Sequence, residues 1–315
     1  MKDHKDMRCT VLGLGGVGGV VGGKLASYYG ESITFIARGA RGESIRRNGL
    51  TVHSDFMGEF TAHPGCVQDT PDGLPVQDLI LVCVKNDALE AAALQLRPIV
   101  GPDTVVIPVM NGVTAAEKLA ELLPQAHVPL CVIYTVSMAN ADFSITQQGR
   151  FTHIFLGAQK KSEAENQICR DICAYMAEAG LDMRYTDIPE TEVWTKYIWN
   201  CAYNVATARW VCDIGFIKHD PDLLAEYKDL LLEATAVARA RGVALPDTLM
   251  NKQLDKLAHT SSSATSSLGR DFAEHKKGEM EVFCGDVLRM GTALHIEMPV
   301  TKKYYEAMLA MAAEF

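Results

Sequence analysis

The sequence predicts an α/β protein in two parts: an N-terminal Rossmann-type domain over residues 1–187 and an all-α domain over residues 188–315. Three observations carry that expectation. Short β-rich runs alternate with helical stretches up to about residue 158, the pattern of a parallel sheet covered on both faces. The first such run leads directly into G-x-G-x-x-G at Gly13, Gly15 and Gly18. From about residue 162 the period turns helical, interrupted only by a short strand-like piece at 182–185.

Residues 9–14 read as the first strand and 18–29 as the helix after it. Residues 32–37 (SITFIA), 79–84 (LILVCV) and 104–109 (TVVIPV) are further strands, and 129–135 and 151–156 are expected to extend the same sheet. Gly101-Pro102 and Pro71-Asp72-Gly73 punctuate these runs. In the second part Pro189, followed by Glu190 and Glu192, opens a long helix with acid in its first turn, where the helix dipole favours it. Further helices are expected over 223–241, 272–291 and 301–313. The serine-rich piece 260–267 (TSSSATSS) is a flexible link or a helix start. There is no internal repeat.

Composition narrows the function classes. The 315 residues carry a formal net charge of −9, with 48% hydrophobic and 22% charged residues. That balance fits a soluble globular protein and argues against a surface for nucleic acid, which requires basic patches. Nine cysteines at irregular spacings, with no C-x-x-C pair, read as buried reduced thiols. Cys169 and Cys173 lie one helical turn apart but lack the partners of a metal site, so no metal is expected. The charged N-terminus has no apolar h-region, and no apolar run is long enough to cross a bilayer. The expected location is the cytoplasm.

Gly13, Leu14, Gly15, Gly16, Val17 and Gly18 sit between a predicted strand and a predicted helix, the context that makes this motif a dinucleotide loop. The glycines permit a tight turn, close approach of backbone to pyrophosphate, and close helix–strand packing, while the helix N-terminus points its free N–H groups at the phosphates. The second strand ends in Ala37-Arg38-Gly39-Ala40-Arg41, without the carboxylate that would hold a ribose 2′-hydroxyl. A guanidinium matches a 2′-phosphate instead, so Arg38 points to NADPH.

Residues 193–212 (VWTKYIWNCAYNVATARWVC) are apolar nearly all round and predict a buried central helix. Lys196, Asn200 and Asn204 recur at i, i+4 and i+8, on one face. Burying an ammonium and two amides without partners is costly, so the stripe faces either an interdomain hydrogen-bond network or a substrate cleft. Lysine as proton donor and asparagine as ligand for carboxylate or hydroxyl favour the cleft. Lys85 and Asn111-Gly112 follow strands at their carboxyl ends, where open α/β sheets bind ligands.

Taken together, these residues resemble the ketopantoate reductase (2-dehydropantoate 2-reductase) family over nearly the whole chain. The matching pieces are the glycine loop, Arg38, Val84-Lys85, Asn111-Gly112, Glu192-Val-Trp-Thr-Lys196-x-x-x-Asn200-x-x-x-Asn204, and Ser267 twelve residues before Glu279. The resemblance implies NADPH-dependent reduction of 2-dehydropantoate to pantoate, in pantothenate and coenzyme A biosynthesis. It implies Lys196 as proton donor with Glu279 beside it, and Asn200, Asn204 and Ser267 on the substrate. Lys85 and Asn111 would line the join between nicotinamide and substrate. The expected partner is a small 2-oxo acid, with no nucleic acid and no membrane; a homodimer is compatible with this reading. Two positions depart from the family: Ala264 stands where an asparagine is common, and Ile214 falls near another. Both affect the grip on substrate, leaving room for a different 2-oxo acid.

The competing readings are an opine-type or 3-hydroxyacid dehydrogenase and a non-catalytic NADPH-binding regulator. The first calls for a histidine that residues 193–212 lack. The second has no need of Lys196.

Overall fold

The computed structural model describes residues 3–160 and 162–315. The chain divides into two compact units, Met1–Pro189 and Glu190–Phe315.

In the first unit the elements run β1 (Cys9–Leu12), α1 (Gly16–Tyr29), β2 (Ile33–Ile36), α2 (Gly39–Asn48), β3 (Leu50–Ser54), β4 (Gly58–Ala62), β5 (Cys66–Gln68), β6 (Leu79–Val82), α3 (Leu89–Leu96), β7 (Val105–Pro108), α4 (Ala115–Leu122), β8 (Leu130–Ala139), β9 (Ile145–Gly157), α5 (Glu163–Glu178) and β10 (Asp182–Tyr185). One sheet has the order β5-β2-β1-β6-β7, with every neighbouring pair parallel. β1, β6 and β7 are buried at every position, which is why their sequences are apolar throughout except for Thr10, whose hydroxyl donates to Gln77 Oε1 at 3.0 Å.

The strands at 129–135 and 151–156 form, but they do not extend that sheet. β8 and β9 pair antiparallel with each other, and β9 pairs parallel with β3 and β10, giving a second sheet of order β10-β9-β3-β4. The reason is connection length: residues 140–144 suffice for a hairpin, whereas a further parallel strand needs a crossover of a dozen or more residues. The β3–β4 hairpin and β5, unread in the sequence, are short and mostly polar or half-exposed. α1 packs against both sheets. Its glycines make that possible: a Cβ on Gly19 would lie 2.4 Å from Ile145, and one on Gly22 would lie 3.2 Å from Val11 and Phe35.

In the second unit α6 (Pro189–Trp210) is followed by α7 (Ile214–His219), α8 (Pro221–Ala240), α9 (Leu249–His259), α10 (Ser267–Ala273), a π-helical turn (Glu281–Gly285), α11 (Asp286–Ala293) and α12 (Pro299–Ala312). α6 takes Pro189 as its first residue and carries Glu190 and Glu192 in its first turn. The single helix expected over 272–291 is broken. His275 and Gly278 have φ of 54° and 52°, a left-handed conformation that ends α10 before the chain resumes at the π-helical turn. Residues 260–267 lead into α10, where Ser266 caps the helix by accepting from the Gly269 N–H at 2.9 Å.

Candidate active site

In the first unit the sequence-predicted residues line up along one edge of the parallel sheet. Arg38 follows β2, the glycine loop follows β1, Lys85 follows β6 and Asn111 follows β7, in the order of the strands themselves. Asn86 Nδ2 donates to the Asn111 carbonyl at 2.9 Å, tying the Lys85 and Asn111 loops together.

Each loop glycine has its own constraint. Gly13 turns with φ 94°, and a Cβ there would lie 2.7 Å from the Cys83 carbonyl. Gly16 and Gly18 have no room for a side chain, since a Cβ would meet the Ser137 carbonyl at 2.6 Å and the Gly13 carbonyl at 1.9 Å. Gly15 is different. It is the N-cap of α1 with no side-chain cap, and its Cβ would project into open space. The position therefore admits a side chain sterically, yet the glycine leaves the first-turn N–H groups of α1 open to an anion. A pyrophosphate fits this cradle.

α2 begins with cations at its positive end. Arg38 is its N-cap, Arg41 lies in its first turn, and no acid is present there. That placement opposes the helix dipole unless an anion joins it. Arg38 is exposed. Arg41, which sequence reasoning did not assign, donates to the Leu14 carbonyl at 3.0 Å and the Phe143 carbonyl at 3.4 Å, and sits 5.3 Å from the Phe143 ring centroid. Burial pulls its guanidinium pKa down. Its signal was present as a second arginine three residues after the first.

In the second unit α6 carries Lys196, half-buried, and Asn200 and Asn204, which are 8% and 5% exposed. The structure joins both amides to Ser267, which comes from the N-terminus of α10. Asn204 Nδ2 donates to Asn200 Oδ1 at 3.3 Å, while Asn204 Oδ1 accepts from Ser267 Oγ at 3.2 Å and from the Leu268 N–H at 3.3 Å. One turn on, the Thr207 and Ser266 hydroxyls lie 2.7 Å apart. Asn204 thus anchors α10 to α6, and Asn200 extends that network toward Lys196. Glu279 is half-buried just before the π-helical turn, its carbonyl accepting from the Val282 and Phe283 N–H groups at 3.0 and 3.3 Å.

The two departures from the family pattern adjoin each other. The Ile214 N–H donates to the Ala264 carbonyl at 2.8 Å, and Ile214 is fully buried. An apolar pair stands where amides were expected.

Burial pushes the Cys9, Cys169 and Cys173 thiols up to about 12, which keeps them protonated. Among the described residues no group of three or more His, Cys, Asp or Glu could hold a metal, and no helix is long and apolar enough to cross a membrane.

Comparison with known proteins assigns both units. Residues 9–161 match the family model "Ketopantoate reductase PanE/ApbA", and residues 190–312 match "Ketopantoate reductase PanE/ApbA C terminal". The crystal structure of a PanE/ApbA family ketopantoate reductase from Ralstonia eutropha JMP134 superposes with a TM-score of 0.88 at 27% identity, covering 98% of this chain and 99% of that one. That of 2-dehydropantoate 2-reductase from Porphyromonas gingivalis W83 gives 0.80 at 27%, covering 96% and 99%. The 2-dehydropantoate 2-reductase of Halobacterium salinarum is 27% identical over 94% of this chain and 96% of its own length. A chain that matches the family's N-terminal and C-terminal models in order, and that family's solved structures nearly end to end, belongs to the ketopantoate reductase family.

Proposed function

We propose that this protein reduces the carbonyl of a small 2-oxo acid with NADPH, and that 2-dehydropantoate is the leading substrate. The observation that carries the reading is the α6 stripe: an ionisable residue, Lys196, in line with two buried amides already organised by Ser267.

Bound at the glycine loop, NADPH supplies the hydride. The chain's own residues do the rest. The open N-terminus of α1 holds the pyrophosphate and Arg38 the 2′-phosphate, with Arg41 bracing the loop through Leu14. Lys85 and Asn111 order the nicotinamide end, Asn111 being fixed through Asn86. Asn200 and Ser267 orient the substrate, and Asn204 positions them both. Lys196 hands a proton to the carbonyl oxygen as negative charge develops on it, with Glu279 as its acidic neighbour in the site. The reaction belongs to pantothenate and coenzyme A biosynthesis, and its site is the cytoplasm.

The test is NADPH oxidation against a panel of 2-oxo acids that includes 2-dehydropantoate. Turnover of 2-dehydropantoate with the highest kcat/KM is expected. A much higher value for another 2-oxo acid would move the substrate assignment, as the Ile214–Ala264 pair allows. Absence of turnover with every member would remove the reductase reading.

A further inference from the structure

Glu279 is held on both sides by residues that adjoin the α6 stripe and its network. Before it stands Gly278, at φ 52°, where a Cβ would lie 2.8 Å from Leu268 Cδ1. Leu268 is the residue after Ser267, and its N–H donates to Asn204 Oδ1 at 3.3 Å. After Glu279, the Val282 N–H donates to the Glu279 carbonyl at 3.0 Å. The Val282 carbonyl in turn accepts from the Tyr197 hydroxyl at 2.6 Å, and Tyr197 directly follows Lys196 in α6.

The Tyr197 side chain is buried at 1% exposure, and the Trp194 ring meets it edge-on, with centroids 5.5 Å apart and planes 86° apart. At about 100° per residue, neighbours on a helix point to different sides. The turn of α6 that carries the half-buried Lys196 therefore also grips the Glu279 segment through the next residue. The grip spans 85 residues of sequence and ends in the π-helical turn, a widening of the helix that recurs at functional sites.

The outer side of that turn has fastenings of its own. Arg289 donates to Glu281 Oε2 at 3.1 Å and to Asp286 Oδ1 at 2.6 Å, and Tyr305, from α12, donates to Glu281. These contacts keep the turn wound without Tyr197. What the Tyr197 hydroxyl adds is register, because it joins the segment bearing Glu279 to the segment bearing Lys196. The effect of a carboxylate on an ammonium falls with distance, so a displaced segment changes what Glu279 does to Lys196.

We propose that Tyr197 is a positioning residue of the reductase site: through the Val282 carbonyl, its hydroxyl sets the place of Glu279 relative to Lys196. Tyr197 acts through Glu279 rather than on the substrate. The role rests on the 2-oxo acid reduction proposed above.

The experiment is a double-mutant cycle of Tyr197→Phe, which keeps the ring and removes the hydroxyl, with Glu279→Gln. All three tryptophans, Trp194, Trp199 and Trp210, lie in the second unit, so tryptophan emission reports its folding. In Tyr197→Phe with native emission, kcat for the preferred 2-oxo acid should fall about tenfold to hundredfold while KM for NADPH is unchanged. In the Glu279→Gln background the same substitution should alter kcat less than about twofold, because the group it acts through is gone. Unchanged kcat in folded Tyr197→Phe would overturn the role, as would an equal loss in both backgrounds. If Tyr197→Phe loses native emission, Trp194→Leu, which removes the ring edge that steers Tyr197, is judged by the same two criteria. A wild type that oxidises NADPH with no 2-oxo acid would overturn the reductase reading and the role with it; wild-type turnover with kcat unmoved by Tyr197→Phe overturns the role alone.

Discussion

The glycine loop of the first unit and the α6 stripe of the second are built by opposite means. The loop works through backbone, and its requirement is that side chains be absent: Gly13, Gly16 and Gly18 are hemmed in by carbonyls, and Gly15 leaves N–H groups uncovered. The stripe depends on side chains, and its requirement is that partners be present: Asn204 Oδ1 accepts from Ser267 and Leu268, more than sixty residues later. A backbone site is written in consecutive residues. A side-chain site is completed by distant ones.

Lys196→Ala tests the stripe most severely. Removing the proposed proton donor should lower kcat about a hundredfold to ten-thousandfold, roughly 3–5 kcal/mol of transition-state stabilisation. NADPH affinity should survive, because the glycine loop and Arg38 belong to the other unit. Steady-state kinetics with NADPH titration decide it; a folded variant with near-normal kcat would take Lys196 out of the mechanism.

Two neighbouring glycines test the loop. In Gly18→Ala the new methyl would collide with the Gly13 carbonyl, so thermal unfolding should show a loss of about 1–3 kcal/mol or more. In Gly15→Ala the backbone, at φ −75° and ψ −163°, accepts alanine and the methyl meets open space. Stability should hold while NADPH affinity drops, because the methyl occupies the phosphate's approach. Equal melting temperatures and equal affinities in the two variants would dissolve the distinction between packing glycine and binding glycine.

Arg38→Ala should raise KM for NADPH about tenfold to hundredfold and leave that for NADH almost unchanged. Arg41→Ala should weaken both cofactors together, because Arg41 holds the Leu14 carbonyl of the loop. Identical NADPH-to-NADH ratios in the two variants would show that neither arginine reads the 2′-phosphate.

The smallest effect is expected at the Ile214–Ala264 pair. Ala264→Asn restores an amide beside Ser266 and Ser267, and it should lower KM for 2-dehydropantoate by a few-fold, about 1 kcal/mol. A rise in KM, with another 2-oxo acid still preferred, would identify the apolar pair as a fit to that other substrate.

The sequence by itself determined whatever depends on neighbours in the chain. The dinucleotide loop lies within six residues, the α6 stripe within nine, and β6 and β7 are continuous apolar runs because both their faces are buried. The place of Arg38 just after β2 was legible because strand and helix are adjacent in the chain. Tertiary structure alone decided the rest. β8 and β9 left the parallel sheet for a second one because a five-residue turn admits only antiparallel return. The helix expected over 272–291 broke where two residues take positive φ, a choice that apolar periodicity does not encode. Arg41, Asn86 and Tyr197 gained their places from partners at separations of 27, 25 and 85 residues, Leu14, Asn111 and Val282. Periodicity reports which face of an element is buried; what a side chain on that face meets is set by packing between elements distant in the chain.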